Sequence, residues 1–389
     1  MTTSQRPRVA VIATTYFPDS HADVIAGKLI AGYTLHGVPT EPRLEVASLY
    51  LDQTSLDDTG RALAARHGIP VFETIGEAIS LGGSGVNVDG VLIIGEHGDY
   101  PVNERGQILY PRRAFFDAAV AAMTAGGRVV PVFIDKHLSW SFAEARRMVD
   151  TAERLGISLL AGSTVPIAWR TPPGAWPLGA PLSEAVVVGY GPLEVYEFHA
   201  LEGLQGMVER RAGGETGVSA VEDIPPSELA RARAAGLWSE ALEVAALGAL
   251  GLDGFPLRRA RASLSHAFLV EYEDGLRGAV LWFDSGVHDV AFAGRHGDEV
   301  TACRFALEPG RPYGHFTFLV RQIESLVLSG RSPYPVARTL LTTGILEAAM
   351  RSRHLGGIRL PTPELSVHYE PAAEVPDSGI DTAPPFALT

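Results

Sequence analysis

Residues 88–101 read VDGVLIIGEHGDYP. Val91, Leu92, Ile93 and Ile94 form an unbroken apolar run that stops at Gly95-Glu96-His97-Gly98-Asp99. Residues 111–125 then carry helical spacing, and residues 128–134 (RVVPVFI) are apolar again until Asp135-Lys136-His137. A third period follows as SFAEARRMVDTAERLG and ISLLAGS. Short continuous apolar runs mark strands buried on both faces of a parallel sheet, and the 3.6-residue periodicity between them marks crossover helices. Ligands of such sheets bind beyond the carboxyl ends of the strands. Two of these ends carry titratable residues where turn residues would be ordinary, so the loops at 95–99 and 135–137 are the expected centre of function.

Working outward, residues 8–15 (RVAVIATT) predict the first strand. A helix follows, with Asp19 or Ser20 as its cap and Asp23 in its first turn. Residues 44–51 predict a second strand ending at Asp52; a helix over 56–67 and a short strand and helix come next. This alternation predicts a Rossmann-like, doubly wound parallel sheet over residues 1–165. After Ser163 the chain turns rich in proline and glycine. A strand at 185–189, a stretch at 192–211 that leads into a helix, and an Ala-rich helical stretch at 225–252 follow. Antiparallel strands are expected near 267–272, 278–283, 287–292 and 302–306, then helices at 317–328 and 336–352. Residues 166–389 are therefore expected to form an α+β domain whose closing helices return to the first. The fold class is α/β followed by α+β.

Composition limits the function classes. The chain has 389 residues, 46% hydrophobic and 20% charged, with a net charge of −13. This is globular composition, and the negative balance argues against nucleic acid or an anionic membrane as partner. The single Cys303 excludes an internal disulfide and any multi-cysteine metal site, and reads as a small core residue. No apolar run approaches the roughly 20 residues of a membrane span. The start of the chain lacks the apolar region of a secretory signal, so a cytoplasmic location is expected.

Several residues fall into a familiar register. Asp135-Lys136-His137 is followed by Ser141-Phe142-Ala143-Glu144-Ala145; Gly162 precedes Trp169-Arg170; His199-Ala200-Leu201-Glu202 lies on a later helix; and residues 322–357 carry a closing helical pattern. In these features the chain resembles the Gfo/Idh/MocA oxidoreductases. There a Glu-Lys-Pro motif precedes a Ser/Thr-x-x-Glu-Ala helix, and a His-x-x-Asp helix lines the cleft. The resemblance covers residues 8–165 and 313–357, with residues 199–202 between. It implies a Rossmann-like domain, an active-site lysine at Lys136 and a cleft histidine at His199.

Two departures shape the functional expectation. Residues 14–22 (TTYFPDSHA) hold none of the glycines that let a backbone approach a pyrophosphate. Tyr16 and Phe17 would fill that space and Asp19 would repel the phosphates, so NAD(P) is expected to be lost, although Asp52 remains as a possible ribose ligand. The motif proline is His137. His97, His137 and His199, with Glu96 or Glu202, then form a His/carboxylate set suited to a first-row divalent metal, foremost Fe(II). Lys136, Asp135 and Arg170 are the expected catalytic residues, with Lys136 on the substrate. The leading expectation is a metal-dependent, oxygenase-like oxidoreductase acting on a small polar or heteroaromatic molecule with O2. By overall likeness it is similar to a branch of the fold that includes the iron enzyme of oxazinomycin (C-nucleoside) biosynthesis. A homo-oligomer without membrane partner is expected. Open alternatives are an NAD(P)-dependent dehydrogenase with an atypical phosphate loop, metal-free acid–base chemistry by His and Lys, and a non-catalytic binding protein. Tyr100, Arg112 and Trp169 are candidate clamps or stacking groups; His21, His266, His288, His296, His315 and His354 are read as surface or core residues. Glu215 is read as a turn residue.

Overall fold

The computed structural model describes residues 6–388. Residues 1–5 of the expected first domain, and Thr389 of the second, lie outside the described residues. Contacts divide the chain into two units: residues up to 101, 109–162 and 308–336 form one; residues 102–108, 163–307 and those from 337 onward form the other.

The first unit is built on a six-stranded sheet. Its spatial order is Val71–Phe72, Glu45–Leu51, Arg8–Ala13, Gly90–Ile94, Val132–Asp135, Leu159–Gly162, and every pairing is parallel. In chain order this is 3-2-1-4-5-6, the doubly wound dinucleotide-binding arrangement. All five residues of Gly90–Ile94 are buried, which explains their unbroken apolar run. Val91, Leu92 and Ile93 lie in register with Val132, Phe133 and Ile134, so the loops at 95–99 and 135–137 emerge from one edge of the sheet. Helix Phe142–Leu155 shows why the crossovers form. Phe142, Ala145, Met148, Val149 and Ala152 recur on one face and are buried, and Gly156 ends the helix at φ 69. Each large side chain so buried contributes about 1.5–3 kcal/mol.

The second unit carries an eight-stranded sheet in the order Leu360–Pro361, Val218–Ile224, Leu264–Tyr272, Arg277–Phe283, Glu184–Tyr190, Val290–His296, Glu299–Ala306, Trp169–Thr171. Of the strands expected to be antiparallel, Leu264–Tyr272 pairs so with Arg277–Phe283 and Val290–His296 with Glu299–Ala306, while Glu184–Tyr190 runs parallel to Arg277–Phe283 and antiparallel to Val290–His296. Val186 and Val188 join a core with Trp238, Leu242, Ala246 and Leu247, while Val187, between them, points to the other face. Helices Leu193–Val208 and Ala337–His354 also pack on strands of this sheet.

Three local readings need correction. The stretch at 225–252 is not one helix: the chain breaks at Gly236, φ 69, and forms Leu229–Ala234 and Glu240–Ala249, with Gly254–Ala262 beyond. The strand Val218–Ile224 was hidden by Glu222 and Asp223; Asp223 is buried and its N–H donates to Ser352. The strand expected at 287–292 is Val290–His296, displaced because Asp289 is held at its start by Arg304, 2.7 Å away.

Candidate functional site

Strand order in the first sheet reverses between Arg8–Ala13 and Gly90–Ile94, and the residues after these two strands are knitted together. The Thr14 N–H donates to Ile94 O, and Thr14 Oγ1 donates to Glu96 O at 2.5 Å. Just beyond the strand ends, His97 (φ 67) and Lys136 (φ 62) both adopt left-handed backbone. Non-glycine residues enter that region at a cost of order 1–3 kcal/mol, and such strain clusters at functional sites. Gly95 is fixed by close approach, since a Cβ there would lie 2.6 Å from Arg112 Cγ.

Four buried side chains run across this edge. Lys136 Nζ donates to Glu96 Oε1 at 2.5 Å, Arg112 Nη2 to Glu96 Oε2 at 3.3 Å, and Arg112 Nη1 lies 2.9 Å from His137 Nε2. Burial opposes ionisation of Glu96, but the charges of Lys136, His21, Arg112 and His97 prevail and hold its carboxyl well below the usual range. A second pair crosses the same edge: His21, first residue of helix His21–Ala31, places Nδ1 2.7 Å from Asp135 Oδ2. Asp135 is 1% exposed and the His21 side chain 14%. Partly exposed rings surround His21: His97 at 5.9 Å and Phe316 at 5.2 Å between centroids, with Phe17 5.1 Å from His97. Burial lowers the pKa of His97.

The first loop departs from expectation in one respect. Tyr16 does not stand outside the loop; it is buried, with Cβ and Cγ so close to Gly60 that a methyl there would meet them at 2.6 and 2.8 Å. Phe17 is half-buried, and the exposed Asp19 is neutralised by Arg311 Nε at 2.9 Å. Thr15 Oγ1 is buried in this loop without a hydrogen-bond partner among the described residues. At the end of the second strand, Asp52 accepts from Tyr50 and Tyr100, each at 2.7 Å. At the opposite edge of the same sheet a cavity of about 340 Å³ is lined by Arg6, Arg8, Glu45 and His67, away from all of these groups.

The remaining predicted residues belong to the second unit. His199 Nδ1 lies 2.6 Å from Ser163 Oγ, and the Ser163 N–H donates to Glu202. Glu202 also accepts from Thr342 at 2.7 Å and Thr339 at 3.2 Å, and burial pushes its carboxyl pKa up. Arg170 is buried, donating to Gly174 O and Pro166 O and lying over the Phe305 ring; burial brings its guanidinium down to about 10. That arrangement anchors the segment at 166–174. Glu215, read as a turn residue, is a buried partner of Arg211.

The structure thus gathers Glu96, His97, Asp135, Lys136 and His137 at one sheet edge, together with Arg112 and His21. Arg112 was only a candidate clamp, and His21 was left among surface or core residues. The signal for His21 was its place: it opens the helix after strand one, where ligands of this fold bind.

No family model and no curated protein matches this chain. Solved structures do. GenD2 from gentamicin A biosynthesis, in complex with NAD, is similar with a TM-score of 0.58 and 17% identity, over 92% of this chain and 97% of that one. Myo-inositol 2-dehydrogenase from Lactobacillus plantarum gives 0.56 and 11%, over 92% and 99%. Scyllo-inositol dehydrogenase from Lactobacillus casei, with bound NAD(H) and scyllo-inositol, gives 0.54 and 10%, over 91% and 99%. The fold is that of the Gfo/Idh/MocA-type dehydrogenases.

The cofactor expectation is corrected accordingly. Two of the similar structures carry NAD or NAD(H), whereas among the described residues no set of three or more His, Cys, Asp or Glu side chains is arranged to hold a metal ion. The physical reason is visible at Glu96 and His137. Both oxygens of Glu96 are engaged by cations and the His137 imidazole faces a guanidinium, surroundings that repel a divalent ion. Fe(II) and O2, and with them the likeness to the iron-dependent branch, are withdrawn. Among the described residues no helix is long and apolar enough to cross a membrane.

Proposed function

We propose that this protein is an NAD-dependent dehydrogenase with an atypical phosphate loop, oxidising a secondary hydroxyl on a small polar, ring-shaped substrate. The observation that carries this reading is the Lys136–Glu96 ion pair at the carboxyl edge of a 3-2-1-4-5-6 sheet, on strained backbone beside the point where strand order reverses. The substrate class rests on the inositol dehydrogenases among the similar structures.

The residues present fit a dinucleotide on the Rossmann-like domain, residues 1–165. Helix His21–Ala31 opens at the switch point, where Ser20 caps the Asp23 N–H, and the positive end of its dipole there favours phosphate. Tyr16 is drawn inward, Thr15 has a hydroxyl without a partner among the described residues, and Asp52 stands where an acid meets ribose in this fold. An acid there favours NAD over NADP, whose extra phosphate it would repel.

A bound nicotinamide would supply the two-electron hydride acceptor. The chain supplies the rest. Glu96 holds the Lys136 side chain, and Arg112 holds Glu96, so Lys136 offers its N–H groups to substrate in a fixed direction. A preorganised cationic donor stabilises oxygen as it loses its proton, an effect worth about 10²–10³ in rate. Production of NADH from NAD with myo-inositol, scyllo-inositol and UDP-N-acetylglucosamine tests the reading. Oxidation of at least one supports it; a protein that neither binds NADH nor reduces NAD with any of them overturns it.

A further inference from the structure

Resting on that dehydrogenase reading, we infer that the His21–Asp135 pair is the proton acceptor of this site, with Lys136 restricted to electrostatic stabilisation. The first part of the case is elimination. Lys136 is 2.5 Å from Glu96, whose second oxygen is held by Arg112, and Glu96 stays ionised because four positive or protonatable neighbours outweigh its burial. An amine bound this way serves as a donor. His137 has its Nε2 occupied by the Arg112 guanidinium at 2.9 Å. The second part is geometry. A carboxylate at imidazole Nδ1 fixes the ring's tautomer and orientation and stabilises the imidazolium formed when Nε2 takes a proton. Asp135 does this for His21 at 2.7 Å, from the strand end that also carries Lys136. The His21 ring is partly exposed and bordered by the half-buried rings of His97 and Phe316.

In the step so assigned, the hydroxyl loses its proton to His21, and a bound oxidised nicotinamide would take the hydrogen of the carbinol carbon with its two electrons. The C–O single bond becomes C=O, and the imidazolium later releases its proton to water. The titratable groups around His21 are Asp135 and Lys136 from one strand end, Glu96 and His97 from the neighbouring loop, and His315 from the helix His315–Ser329. Burial takes His315 down to about pKa 3, and it also lowers that of His97.

His21→Gln tests this. NADH binding, followed by fluorescence, is expected to stay within about two-fold of wild type. Turnover with whichever of the three alcohols wild type oxidises fastest should fall about 10²–10⁴-fold, the range for a lost general base. The acidic limb of the wild-type pH–rate profile should vanish. In imidazole NMR spectra the His21 resonance, identified by its loss in this variant, should shift in Asp135→Asn. Unchanged turnover and an unchanged acidic limb in His21→Gln would overturn the inference while leaving the dehydrogenase reading intact. A wild type that binds no NADH would remove the reading itself. Should His21→Gln not fold, Asp135→Asn carries the test: a fall in turnover of at least tenfold supports the pair, and wild-type turnover overturns it.

Discussion

Each unit buries a network of charges, and the two networks differ in kind. In the second unit Arg338 forms a two-pronged bond to Glu209, at 2.5 and 2.8 Å, and Tyr369 donates to the same carboxylate. Gln205 links this group to Glu215, which is closed off by Arg211 and by the N–H groups of Thr216 and Gly217. The backbone there is relaxed, with Glu209 at φ −60. In the first unit Glu96, Lys136, Arg112 and His137 are also buried, but Glu96, Lys136 and His137 follow strand ends, Lys136 and the neighbouring His97 have positive φ, and partly exposed rings stand beside them. Burial of charge alone therefore does not mark a site. Among the described residues, charge, backbone strain and partial access come together at the carboxyl edge of the parallel sheet in the first unit.

The largest effect that would sharpen the contrast is on stability. Arg338→Met leaves Glu209 buried without its cation, and a loss of about 3–5 kcal/mol in urea unfolding is expected. A loss below about 1 kcal/mol would show that this network is not the structural one. Lys136→Met should reverse the pattern. Turnover falls about 10²–10³-fold, equivalent to roughly 3–4 kcal/mol, while the protein stays folded because Arg112 still neutralises Glu96. Wild-type turnover in this variant would break the contrast.

A third effect is on acid stability. His315 is buried neutral, its pKa lowered from 6.5 to about 3 by burial, Lys28 and His21. Between these values the unfolded chain binds a proton that the folded chain does not. Stability therefore falls as pH drops through that window, by about 2 kcal/mol at pH 5. His315→Gln should flatten this part of the pH–stability curve; an unaltered acid slope would contradict the assignment. The smallest effect concerns the ribose. Asp52→Ala should weaken NAD binding about tenfold, about 1.4 kcal/mol, and narrow the preference for NAD over NADP. Equal affinities for the two dinucleotides in wild type would remove Asp52 from the site.

Much of the first unit was legible because parallel strands buried on both faces announce themselves as unbroken apolar runs. Residues 91–94 and 128–134 gave both the strands and the edge at which they end. The second sheet was harder. Val218–Ile224 carries acids whose partners, Ser352 and His266, are far away in sequence, so nothing local reveals that Asp223 is buried. The direction of Tyr16 was equally hidden. Whether an aromatic residue in a loop stands in a ligand's path or folds under it depends on Gly60, 44 positions further along by residue number, and not on the loop's own composition. Glycine counting alone thus missed the inward turn of Tyr16, and the histidine that meets Asp135 was masked by being one of 12.

The central claim is that the carboxyl edge of the six-stranded sheet receives a nicotinamide dinucleotide despite its glycine-free first loop. Titration of the purified wild-type protein with NADH, followed by fluorescence and calorimetry, addresses it directly. Saturable one-site binding with a Kd of about 100 µM or tighter, equivalent to about 5.5 kcal/mol or more, weakened by Asp52→Ala, is the predicted result. An absence of binding up to about 1 mM NADH would contradict it.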